Sequence, residues 1–101
     1  MPVQDVYRAL SDPVRRKILK LLQDGPQPAG AIAAEFSISW PSVSRHLGVL
    51  TNAGLVRHEK NGQQVIYELT TSVLVDIVTE LADLTRIGAG AIEQANEGRK
   101  S

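Results

Sequence analysis

The chain contains no cysteine, which excludes a disulfide framework, a thiolate metal site and a cysteine nucleophile in one step. The same absence suits a reducing compartment. Aromatic residues are scarce, with one Trp, two Tyr and one Phe, and there are only two histidines. Long apolar runs are missing as well. The longest, Ala31-Ile32-Ala33-Ala34, is far short of the ~20 residues that cross a membrane. Met1 to Asp5 holds no basic segment leading into an apolar stretch, so the expectation is a chain without a signal peptide, located in the cytoplasm. Net charge is lacking too. Lys plus Arg and Asp plus Glu each total 11, so a strongly basic nucleic-acid binder is not announced by the sum.

What is present suits one folded domain over residues 1–101, with 43% hydrophobic and 22% charged residues. Charge is unevenly spread. Residues 1–60 hold eight Lys/Arg against five acids, and residues 61–101 hold three against six. A bipolar chain can offer one face to a polyanion and another to a protein. Offsets this small also arise from random scatter on a solvated surface, and on charge alone that reading stays ahead.

Apolar spacing predicts five helices and a hairpin. A short helix over Val3–Leu10 keeps Val6, Tyr7 and Leu10 on one side. Ser11-Asp12-Pro13 is a start signal, a capping side chain followed by Pro at the first helical position. The helix over Val14–Gln23 then separates Val14, Ile18, Leu21 and Leu22 from Arg15, Arg16, Lys17 and Lys20, and Asp24-Gly25-Pro26 ends it. A third helix is expected from about Pro28 to Phe36. After the turn Ser37-Ile38-Ser39, a fourth runs from Trp40 to Asn52 or Ala53, capped by Ser39 and ended by Gly54. Asn61-Gly62 lies between two strand-like runs, a strong signal for a two-stranded hairpin with Asn61-Gly62 at its turn. A last helix starts near Val73 behind Thr70, Thr71 and Ser72, places Val73, Leu74, Ile77, Val78, Leu81 and Leu84 at helical spacing, and is read to at least Ile87 or as far as Ala95.

Helices three and four, with a short turn between them, have the spacing of a helix–turn–helix. At about 100° per residue, Val43, Leu47 and Leu50 share the anchoring face of helix four. Pro41, Ser42, Arg45, Val49 and Asn52 fall opposite, with Ser44 and His46 on the flanks. No acid occurs between Ser39 and Gly54, and Arg45 is the one long side chain on the outward face. Such a face lacks the ion pairs of an ordinary solvated helix and suits the major groove. Arg45 is the base-reading candidate, since a guanidinium pairs bidentately with guanine. Ser39, Ser42, Ser44 and the helix start suit phosphate oxygens, and helix-start chemistry explains those serines equally well. The hairpin supplies Arg57, His58, Lys60, Asn61, Gln63 and Gln64, able to track a backbone beside the helix or to form a plain solvated turn. Trp40 can stack on sugar or base. Its angle, nearer the buried face, favours folding back onto the core.

Ser11-Asp12-Pro13-Val14-Arg15-Arg16-Lys17-Ile18-Leu19, then Ser42-Val43-Ser44-Arg45-His46-Leu47-Gly48-Val49-Leu50, Ala53-Gly54-Leu55-Val56 and Gly62-Gln63-Gln64-Val65-Ile66-Tyr67, resemble the ArsR family of bacterial winged-helix repressors. The resemblance covers about residues 3–87. It implies a mainly α winged helix–turn–helix domain and a homodimer that binds double-stranded DNA at an inverted-repeat operator. It also implies that the first and last helices pair across the dimer, here through Val6, Tyr7, Leu10, Leu74, Ile77, Val78, Leu81 and Leu84. Ser44 and His46 match positions that the family keeps next to the DNA.

Metal-sensing members of the family carry cysteines where this chain reads Pro28-Ala29-Gly30, which cannot ligate. Asp76, Glu80 and Asp83 share one face of the last helix, but no histidine follows His58, and such a carboxylate set is more often a solvated face than a transition-metal site. The chain therefore resembles the metal-independent branch, with no cofactor, no membrane partner and no identified small-molecule effector. Enzyme motifs such as G-x-S-x-G, a phosphate loop or H-E-x-x-H are absent. The alternative from another class is a winged-helix module that binds protein instead of DNA.

Overall fold

The computed structural model describes residues 3–85. Its elements are α1 (Val3–Leu10), α2 (Pro13–Leu21), β1 (Gln27–Pro28), α3 (Ala29–Ala33), α4 (Trp40–Asn52), β2 (Val56–Asn61), β3 (Gln64–Leu69) and α5 (Thr71–Leu84). They fall into two compact units, one ending at Thr70 and one beginning at Thr71.

In the first unit the start signals act as the sequence implies. Asp12 is extended, and its Oδ1 accepts from the Val14 and Arg15 N–H groups at 2.8 and 3.3 Å, with Pro13 opening α2. Ser39 Oγ accepts from the Ser42 N–H at 3.3 Å, with Pro41 in the first turn of α4. Gly54 holds φ 79°, the left-handed conformation that closes α4 without a Cβ penalty. Val43, Leu47 and Leu50 of α4 are buried, together with Val6 and Ala9 of α1, Ile18 and Leu19 of α2, and Ile32 of α3. Truncating a fully buried Leu such as Leu47 to Ala costs about 2–5 kcal/mol, so these positions fix where α4 sits.

The sheet has three antiparallel strands in the order β1-β3-β2, where a two-stranded hairpin was expected. The added strand is the pair Gln27–Pro28, which meets Tyr67 and Ile66 of β3. Pro28 therefore belongs to an edge strand, where a missing N–H is tolerated, and does not open α3. That helix is correspondingly short, and residues 34–39 connect it to α4. The hairpin turn is displaced by one residue. Asn61 pairs with Gln64, so the two loop residues are Gly62 and Gln63, and Gly62 supplies the positive φ of 65°.

The second unit presents α5, in which Ile77 is buried while Val75, Val78, Leu81 and Leu84 are exposed. The expected continuation of this helix to Ile87 or Ala95 lies outside the described residues.

Candidate nucleic-acid interface

The exposed side of α4 is rotated from the arc expected. Trp40, Pro41, Ser44, Arg45, Gly48 and Asn52 are exposed, whereas Ser42 and Val49 are half-buried. Val49 and Asn52 line a shallow groove with Asp5 and Arg8, which shows that the last turns of α4 abut α1. Trp40 does not fold back: it is 52% exposed, beside Ile38 at 40%. Side chains on a helix lean toward its N-terminus. At the first helical position there is no preceding turn to lie on, which leaves the indole open to solvent. Arg45 makes no hydrogen bond or ion pair with any described residue. Gly48 was not singled out from sequence. A Cβ there would meet nothing within 4 Å, so it is an open stretch of backbone on the exposed face.

His46 is turned inward, with a side chain 16% exposed. Arg15 Nη1 donates to its Nδ1 at 3.0 Å, and Asp12 Oδ1 lies 4.0 Å away. Arg15 also donates through Nε to the Ala9 carbonyl and through Nη2 to the Arg8 carbonyl. Partial burial pushes the Asp12 carboxyl upward, but backbone hydrogen bonds from Arg15 and Val14 and the nearby Arg15 charge outweigh it and hold its pKa below the usual 3.8. The sequence signal for this cluster was the Ser11-Asp12-Pro13 cap alone; the meeting with His46 is made by the tertiary packing of α2 on α4.

The hairpin tip exposes Lys60, Asn61, Gln63 and Gln64, as expected of a wing. Arg57 is different. Glu68 faces it across the ladder, and its Oε1 accepts from Arg57 Nε at 2.7 Å with Nη2 at 2.6 Å. The expected Asn61-Gly62 turn would have paired Lys60 with Gln63 and Arg57 with Ile66. Moving the turn by one residue moves every partner by two, and this brings the acid opposite Arg57. His58 lies against Tyr67, ring centroids 5.2 Å apart, and burial raises the Tyr67 pKa.

Two residues assigned to dimer contacts are already consumed inside the chain: Val6 exposes 0% and Ile77 3% of their surface. Leu10 and Leu74 are half-buried, Tyr7 is 36% exposed, and Val78, Leu81 and Leu84 are exposed, joined by Val75, which the sequence pattern did not single out. Among the described residues no group of three His, Asp or Glu side chains is arranged to hold a metal ion, so Asp76, Glu80 and Asp83 do not converge. No described helix is long and apolar enough to cross a membrane.

A cap-anchored helix, exposed along one acid-free side and flanked by a three-stranded wing, defines a winged helix–turn–helix transcriptional regulator. Comparison with known proteins narrows this. A family model described as a helix-turn-helix domain matches residues 10–59. The chain is 42% identical over 86 residues to the transcriptional repressor SdpR of Bacillus subtilis, covering 85% of this chain and 96% of that protein. A crystal structure of an ArsR family transcriptional regulator superposes with a TM-score of 0.80 at 26% identity, over 84% of this chain and 93% of that one. A homodimeric winged helix-turn-helix DNA-binding domain from Mycobacterium bovis matches with a TM-score of 0.67 at 31% identity, over 80% and 78%. The chain belongs to the ArsR family of winged helix–turn–helix transcriptional regulators, and is a regulator rather than an enzyme.

Proposed function

We propose that this regulator is a homodimeric repressor that reads an inverted-repeat DNA operator with two copies of α4, and does so without a metal. The observation that carries this reading is the exposed side of α4, which offers Arg45 with no partner among the described residues and no acid along its whole length. Arg45 is the base reader. Ser39, Trp40, Pro41, Ser42 and Ser44 line the helix start against phosphate and sugar, with Lys60, Asn61, Gln63 and Gln64 of the wing on the flanking backbone. His46 and Val49 leave the contact set because they face α2 and α1. Arg57, tied to Glu68, and His58, tilted against the Tyr67 ring, are secondary contacts. Dimerisation rests on the exposed apolar side of α5, with Val78, Leu81 and Leu84 at its centre, and on Tyr7 of α1. The relative described as homodimeric supports that assembly. The lack of cysteine, and of histidine beyond position 58, supports regulation without a transition metal. Such a role belongs in the cytoplasm, with the chromosome.

The exposed pair Ile38 and Trp40 favours a second reading, in which the same end of α4 docks on a protein. A mobility-shift assay on DNA from upstream of the chain's own gene separates the two. The repressor reading expects a retarded complex that is indifferent to added zinc or to chelator. Its affinity should fall with log salt by about 0.9 log units per phosphate contact. No complex, or one insensitive to salt, would favour the protein-binding module, and release by zinc would remove metal independence.

A further inference from the structure

The bonds of Arg15 lie away from the exposed side of α4, yet one of the three ends on that helix. One guanidinium ties the Arg8 and Ala9 carbonyls at the end of α1 (2.9 and 2.8 Å) to His46 Nδ1 in the middle of α4 (3.0 Å). Chemistry fixes the direction of the third bond. A guanidinium has donors only, so Nδ1 must be the bare ring nitrogen and the proton of neutral His46 sits on Nε2. An alternative partner stands 4.0 Å from the same Nδ1, the Asp12 Oδ1 that caps α2.

We infer that Arg15 is a positioning residue for α4, and that a proton taken up on His46 Nδ1 breaks its hold by exchanging Arg15 for Asp12. The inference rests on the reading of α4 as the DNA-reading helix. A protonated Nδ1 is a donor facing a donor, with two cations now at hydrogen-bonding distance. The only favourable move is toward Asp12, which draws on the oxygen that caps α2 and leaves Arg15 bound to α1 alone. No other described group competes for the proton's charge. On α1, Asp5 and Arg8 flank Val49, Asn52 and Ala53, farther along α4. On α4 itself, Arg45 points outward. On β2, Arg57 is held by Glu68, and Glu59 and Lys60 are exposed. Acid therefore loosens α4 from α1 and α2, and operator affinity falls as pH falls.

The test uses the full chain and a duplex selected by it from a random-sequence pool at pH ~8. Binding is followed by fluorescence anisotropy at fixed salt from pH ~8 down to pH ~5.5. Because a proton on His58 in the wing would strengthen phosphate attraction, the parent protein carries His58→Gln. Its affinity should drop about tenfold across the range. His46→Asn in that background places an oxygen near the position of Nδ1, accepts from Arg15 and takes no proton, so its profile should be flat. Arg15→Lys keeps the charge but not the three-way fork, and should bind more weakly at pH ~8 with a flattened profile. A flat parent profile, or a His46→Asn profile as steep as the parent's, overturns the inference. Nitrogen NMR of His46 in the DNA-free wild type gives an independent decision: the proton on Nε2 at pH ~8 is required, and a proton on Nδ1 overturns it. If the pool yields no bound duplex, the DNA reading fails while the NMR result still decides whether Arg15 holds the bare Nδ1 of His46.

Discussion

α4 and the wing carry similar residues to opposite effect. Each contributes one arginine among short polar and amide side chains. Arg45 of α4 stands without a partner among the described residues, whereas Arg57 of the wing is neutralised by Glu68 across the ladder. A guanidinium already in a two-point bond with a carboxylate must give that bond up before it can grip phosphate. The lesson is that residue type does not identify a contact; the partner already present in the fold does. Affinity and specificity should therefore concentrate in α4, with the wing supplying Lys60 and its amides as a weaker, sequence-blind hold.

The largest expected effect strikes both regions at once. Leu81→Asp puts a charge on the exposed apolar side of α5 and should split the dimer, removing one α4 and one wing from each operator with a loss of about 100-fold or more in affinity. Sedimentation as a dimer would show that the interface lies elsewhere. Next comes the comparison itself. Arg45→Ala should cost about 1–3 kcal/mol on the operator, whereas Arg57→Ala should cost well under 1 kcal/mol; equal losses by anisotropy would erase the distinction. Asp12→Ala acts on the fold beneath both regions. It should lower stability to urea by about 1 kcal/mol through loss of the α2 cap. Because the carboxyl's pKa is lowered in the folded chain, that contribution is present in full above the ordinary 3.8 and is lost as pH falls through the lower folded value, so the gap to wild type should close in acid. Glu68→Gln frees Arg57 and should steepen the salt dependence of DNA binding by about one contact; an unchanged slope would mean that the wing never reaches phosphate. The smallest effect is optical. Trp40, the only tryptophan and 52% exposed, should change its emission when α4 meets DNA.

Much of α4 was legible in the sequence because its apolar period and its caps agree: Val43, Leu47 and Leu50 are buried, and Ser39 and Gly54 end the helix as expected. The failures share a cause, namely information that is not local. β1 is a two-residue strand that exists only because β3 lies beside it. The inward turn of His46 depends on Arg15, which is remote in sequence. The Arg57–Glu68 pair follows from hairpin register, and a turn misplaced by one residue concealed it. Trp40 was misjudged for a simpler reason, because a helical wheel assumes a turn on either side of each residue and the first position has only one. The ArsR resemblance, carried by Ser11-Asp12-Pro13 and by Ser44-Arg45-His46-Leu47, points to the α4 segment, but it implies a place beside DNA for His46, whose ring turns inward to Arg15.

The central claim is that the exposed side of α4 reads base pairs through Arg45. The most direct measurement compares wild type and Arg45→Ala across duplexes that differ from the selected operator by one base pair at a time. The account predicts that the variant loses discrimination at one position in each half-site while keeping the remaining preferences. Identical preference profiles for the two proteins, whatever their absolute affinities, would contradict it.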